Sequence, residues 1–105
     1  MSDQRKLLEV YSRLKGLRAN IPGRQGSLEK RWVEEFHDLV KTMTDLSQMD
    51  LGGFRVPRGA ITAEGADIGT YYDKEFVAAK IDALLGFFEL SFSERKPSIG
   101  FHPSE

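Results

Sequence analysis

The chain contains no cysteine, which excludes disulfide bridges, thiolate zinc sites and a cysteine nucleophile, and agrees with a reducing compartment. Histidine is nearly as scarce. His37 and His102 are the only two, so imidazole acid–base chemistry has two available positions. No apolar run approaches the roughly 18–20 residues that cross a bilayer, and Met1-Ser2-Asp3-Gln4-Arg5-Lys6 lacks the apolar segment of a secretory signal. These absences together predict a soluble cytoplasmic protein with no membrane partner. The sequence also has no Gly-x-Ser-x-Gly elbow, no phosphate loop ending in Gly-Lys-Ser or Gly-Lys-Thr, and no Gly-x-Gly-x-x-Gly fingerprint. It therefore offers no cofactor motif, and an enzyme is not expected.

What is present is ordinary in amount and uneven in arrangement. A length of 105 residues, with 40% hydrophobic and 30% charged residues, suits one globular domain with a modest core. The net charge of −1 conceals a split. Residues 1–31 carry eight Lys or Arg against three acids, a balance of +5, whereas residues 59–105 carry four against eight, a balance of −4. Such a split fits either an anion-binding face at the basic end or a basic first helix packed near an acidic last one.

Helical periodicity organises the first half. Leu7, Val10, Tyr11, Leu14 and Leu17 recur at helical spacing, predicting a helix over 3–19 with Asp3 as its N-cap. Asn20-Ile21-Pro22-Gly23 ends it, because a residue before proline is pushed out of the α region. Ser27 is a candidate N-cap for a second helix over 27–49, with Glu29 in its first turn and Leu28, Trp32, Phe36, Leu39, Val40, Met43 and Leu46 as its stripe. Trp32 is expected to fill the junction of the two helices. A short link between two long amphipathic helices implies an antiparallel helical hairpin.

Residues 51–72 break this period with five glycines and one proline. A structureless loop of that length is uncommon in a compact domain, so the tract is expected to be irregular or to hold a β-hairpin. The candidate pairing is Phe54-Arg55-Val56 with Ala60-Ile61-Thr62 across a turn at Val56-Pro57-Arg58-Gly59. A third helix follows over 73–93, and Lys96-Pro97 stops what remains of it. In the tail, Ile99 and Phe101 are placed to dock on the bundle or on a partner.

The third helix has too much apolar surface for one neighbour. Leu90, Ala83, Phe76 and Phe87 form one seam, and Leu84, Val77, Phe88, Ile81, Phe92 and Leu85 form a second, with Lys80 and Ser91 between them. Together they span roughly 220°, about twice what a surface helix needs to face its core. The hairpin can cover the seam centred on Val77, Ile81, Leu84 and Phe88. Phe76, Ala83, Phe87 and Leu90 are left as the candidate partner-binding residues, available to a second copy or to another protein unless residues 51–72 fold over them.

Other groups offer other readings. Glu34 and His37 have the Glu-x-x-His spacing of di-iron bundles, but one such motif is too few for that site and both are expected to face water. Glu75, Asp82 and Glu89 repeat every seven residues beside Ala78, Ala79 and Gly86, as a solvent face or as a surface for a basic partner. Arg24, Arg55 and Arg58 lie in connections, with Arg13, Lys15 and Arg18 near the end of the first helix. They provide the alternative function, anion binding to a nucleotide or nucleic acid, because guanidinium groups grip phosphate in a two-pronged fashion.

Four segments carry a resemblance across the chain: Trp32-Val33-Glu34-Glu35-Phe36-His37, Asp50-Leu51-Gly52-Gly53-Phe54-Arg55-Val56-Pro57, Asp73-Lys74-Glu75-Phe76 with Lys80-Ile81-Asp82-Ala83-Leu84-Leu85-Gly86-Phe87-Phe88, and Ser98-Ile99-Gly100-Phe101. In these the chain resembles a set of short bacterial helical proteins of unknown function. That resemblance implies a bacterial or phage setting and a stand-alone helical domain, and carries over no activity, cofactor or catalytic residue. The expected architecture is all-α: a three-helix bundle made of a helical hairpin and a central hydrophobic third helix. The expected function is a non-catalytic interaction or oligomerisation module.

Overall fold

A computed structural model describes residues 2–23 and 26–95, with side chains described for 4–23 and 26–91. Three α-helices carry most of the chain: α1 (Ser2–Ala19), α2 (Lys30–Ser47) and α3 (Lys74–Arg95). Three short strands join them, β1 (Ser27–Glu29), β2 (Ile61–Gly65) and β3 (Gly69–Asp73), in the sheet order β1-β3-β2. The protein is mostly helical, but the all-α expectation needs correcting. A small antiparallel sheet sits beside the helical layer, and β3 packs against both α2 and α3.

The sheet explains where the expected boundaries shift. Ser27 does not cap α2; it pairs with Asp73, as Leu28 does with Tyr72 and Glu29 with Tyr71. Pairing holds these three residues extended, so α2 begins only at Lys30, after a Glu29 that makes no side-chain cap. Leu28 is fully buried beneath the ladder. Asp73 takes the capping role at the next helix: its carboxylate accepts the Phe76 N–H at 2.9 Å while its backbone still belongs to β3. At the other end of the chain, α1 starts at Ser2, so Asp3 lies within the helix rather than before it.

The hairpin in the long connection also lies elsewhere than expected. Phe54-Arg55-Val56 does not pair with Ala60-Ile61-Thr62; instead two single-turn 3₁₀ helices occupy Gly52–Phe54 and Arg58–Ala60. The hairpin is β2 with β3, running from Ile61↔Tyr72 to Gly65↔Gly69, with an irregularity between Ile61 and Ala63. Gly69 turns the corner at φ 84°, a left-handed conformation that suits glycine. Two hydrophobic anchors, Leu51 and Val56, hold the 3₁₀ segment down, and Ala60 does so at its far end.

The core lies where α1, α2 and α3 meet. Leu7, Val10, Tyr11, Leu14 and Leu17 from α1 face Val33, Phe36, Leu39, Val40 and Met43 from α2 and Val77, Ile81, Leu84 and Phe88 from α3. Trp32 and Leu46 only half-enter this core, and Val33 takes the inner position expected of Trp32. The strand before α2 delays the helix by three residues, and that delay fixes its phase. Arg31 instead lies over the Trp32 ring, 5.4 Å from its centroid.

Candidate functional site

The surroundings of α3 can be followed round its circumference. Its inner seam of Val77, Ile81, Leu84 and Phe88 is at most 1% exposed. On one flank, α1 runs antiparallel to it, as two long-range contacts show: the Tyr11 hydroxyl donates to Glu89 at 2.6 Å, and Arg18 Nε donates to Asp82 at 2.9 Å. The basic helix thus lies against the acidic one, the second of the two readings of the charge split. All three acids of the repeating line are exposed, and two of them, Asp82 and Glu89, are engaged by α1. Burial and the Glu89 carboxylate push the Tyr11 hydroxyl up to about 12.

On the opposite flank the 3₁₀ segment closes over α3. Phe54 lies 5.5 Å from the Phe87 ring, and the Lys80 ammonium donates to Gly53 O at 3.0 Å. Phe87 is thereby half-buried inside the chain. Lys80, the cation that divides the two seams in sequence, is the residue that clasps this segment. A lone lysine within an apolar arc was the available signal for that role.

Between these flanks runs a stripe of α3 with much of its surface exposed. Phe76, Ala79, Ala83, Gly86 and Leu90 recur at alternating spacings of three and four; Phe76 is 41% exposed and Leu90 61%, and the small residues between them are exposed as well. Of the four candidate partner-binding residues, Phe87 is therefore covered by the chain's own connection, while Phe76, Ala83 and Leu90 are not buried by it. The stripe adjoins a hollow of about 400 Å³ lined by Arg18, Ile21, Pro22, Lys74, Ala79 and Asp82 among others. Two of its charged side chains are already engaged, Arg18 by Asp82 and the Lys74 ammonium by Gly23 O at 3.1 Å, while Glu75 also lines it.

The candidate anion-binding arginines are held by different partners. Arg58 meets Glu64 at 3.3 Å, Arg55 lies against His37, and Arg24 lies outside the described residues. Ile99, Phe101 and His102 of the tail are likewise outside them, as is the Phe92 side chain.

His37 departs from the water-facing position expected of it. It is half-buried, and its Nε2 accepts the Val56 backbone N–H at 2.9 Å. Neutral imidazole carries one proton, so acceptance at Nε2 places the hydrogen on Nδ1. Arg55 Nη2 lies 3.4 Å from that Nδ1. Burial lowers the imidazole below its ordinary value and Arg55 lowers it further, with Asp38 opposing. Glu34, its partner in the Glu-x-x-His spacing, is exposed and lies 3.6 Å from Lys30. Among the described residues no three His, Cys, Asp or Glu side chains are grouped to hold a metal ion, and no helix is long and apolar enough to cross a membrane.

Comparison with known proteins adds no relative: no protein-family model, no curated protein and no solved structure matches the chain.

Proposed function

We propose that this protein is a non-catalytic helical interaction module that binds a second copy of itself, or a protein partner, through the outer face of α3. The observation that carries this reading is the exposed stripe Phe76, Ala79, Ala83, Gly86 and Leu90 on a helix whose other apolar face is already saturated. Spacing of three and four along a helix presents one continuous seam, the pattern by which helices pair. Small residues at its centre let a second backbone approach closely. Phe76 supplies an aromatic anchor at one end, the kind of residue that dominates binding energy when it becomes buried.

The anion-binding alternative has less behind it. Arg58 is ion-paired, and Arg55 shares its surroundings with the carboxylates of Asp38 and Asp50. Sedimentation velocity on the full chain tests the main reading. Wild type is expected to show a concentration-dependent dimer at micromolar concentration, with Phe76→Asp shifting it to monomer. A wild-type monomer at 100-fold higher concentration would remove self-association through this face.

A further inference from the structure

The segment Gly52–Arg55 is held over Phe87 by contacts of different kinds. Lys80 clasps it from α3, Phe54 rests on Phe87, and the backbone just beyond it is tied to His37 on α2 through the Val56 N–H. Only the last of these depends on a group that titrates in mildly acid solution. Leu51 and Val56 are buried on either side of the segment, so motion between them need not disturb the rest of the core. Gly52 and Gly53 open it, and a side chain at Gly53 would meet nothing within 4 Å.

We infer that Gly52–Arg55 is an acid-released flap: protonation of His37 turns its Nε2 from acceptor to donor, breaks the bond from Val56 N–H, and lets Phe54 lift off Phe87. An Nε2–H facing the Val56 N–H at 2.9 Å would replace a hydrogen bond with a donor–donor contact closer than the 3.4 Å one that Nδ1–H already makes with Arg55. The imidazolium would also face the Arg55 guanidinium at 3.4 Å, adding like-charge repulsion to the lost bond. The charged groups around His37 are Asp38 and Lys41 on its own helix and Asp50 and Arg55 from the connection. Lys41 is occupied by Asp45 at 3.4 Å, and Asp50 Oδ1 accepts the Gly52 N–H at 3.1 Å. Asp38 is thus the group that partly offsets the new charge. Burial and Arg55 already favour the neutral ring, so the tie to Val56 is intact above about 6.5. It is lost as pH falls from there through the lower value that His37 has in the folded protein.

Lifting Phe54 would uncover Phe87 next to the exposed stripe, widening the face to which binding is assigned above. This consequence rests on that assignment, whereas the release itself does not. Nitrogen-15 NMR on wild type tests the release directly. At pH 7.5 the His37 ring should show hydrogen on Nδ1 and a bare Nε2. Through the His37 titration the Val56 amide should lose roughly tenfold of its protection from exchange, after correction for intrinsic rates, together with the Phe54–Phe87 ring contacts. His37→Gln retains an acceptor without a titrating proton and should abolish the acid response. Val56 protection that stays constant across the titration would overturn the flap, as would an unprotonated Nδ1 at pH 7.5 or an unchanged acid response in His37→Gln. Sedimentation at pH 7.5 and at a pH below the His37 titration followed by NMR separates the two ideas. A protein that is monomeric at both pH values, with its flap opening only at the lower one, sustains the release and removes self-association; a dimer of equal strength at both, with Val56 unmoved, does the reverse.

Discussion

The two apolar seams of α3 share one backbone and similar residues, yet Val77, Ile81, Leu84 and Phe88 are almost wholly excluded from water while Phe76 and Leu90 are 41% and 61% exposed. The contrast shows what limits burial in a domain of this size. Two other helices and one short connection are too few to enclose a helix with apolar residues round more than half its circumference. Among the described residues, α1 and α2 enclose the inner seam and Phe54 covers Phe87, while Phe76 and Leu90 keep much of their surface exposed. An apolar face that persists after folding contributes little to stability, which makes it the place to look for binding.

The largest expected effect sets the two seams directly against each other. Phe88→Ala should cost about 3–5 kcal/mol of unfolding free energy, because it removes a fully buried ring packed 5.1 Å from Tyr11. Phe76→Ala, by contrast, should stay within about 0.5 kcal/mol. Urea titration of both variants checks the difference; equal costs would mean that the outer seam is also structural.

Tyr11→Phe comes next, at about 1 kcal/mol, since it deletes the hydroxyl donated to Glu89 and leaves that carboxylate in reach of water. The same bond gives an alkaline signature. The folded hydroxyl titrates near 12 rather than 10, so the stabilisation is complete below pH 10 and is lost as pH rises through 12. Tyr11→Phe should flatten that loss in thermal melts between pH 9 and 12.

Gly86→Ala separates stability from binding on the outer seam itself. A side chain there would meet nothing within 4 Å, so the helix should gain about 0.5–1 kcal/mol from the better helix former. In a pairing that brings another backbone close to Gly86, the same methyl group should weaken association. A stability gain with unchanged sedimentation would move the interface away from that position. The smallest effect belongs to the α1 flank: Arg18→Ala should cost no more than about 0.5 kcal/mol, because both partners are substantially exposed and the pair is screened by solvent. Its loss should shrink further at 0.5 M salt.

Much of the helical layer was legible in the spacing of its apolar residues. Leu7 to Leu17 are buried as a set, and the division of α3 at Lys80 matches the seam that is buried. The sheet was hidden for a physical reason. A three-residue strand contains only one inward side chain, and Leu28 sits four residues before Trp32, where a helical reading absorbs it as readily as a strand does. Thr70-Tyr71-Tyr72, behind a Gly69 turn, carried the stronger β signal. The clasp at His37 left less trace still. Nothing in Glu34-Glu35-Phe36-His37 shows that a backbone amide 19 residues onward will claim the ring.

One residue of sheet register carries more than its size suggests. The centres of the two seams lie roughly 120° apart on α3, close to the rotation produced by one residue of helix. Turning α3 by that amount would present Phe76, Ala83 and Leu90 to the core in place of Ile81 and Phe88. Because Asp73 both ends β3 opposite Ser27 and caps α3, the ladder acts as a rotational key that tells the helix which side to turn inward. In a chain with two nearly interchangeable apolar faces, three short strands keep the choice from being arbitrary.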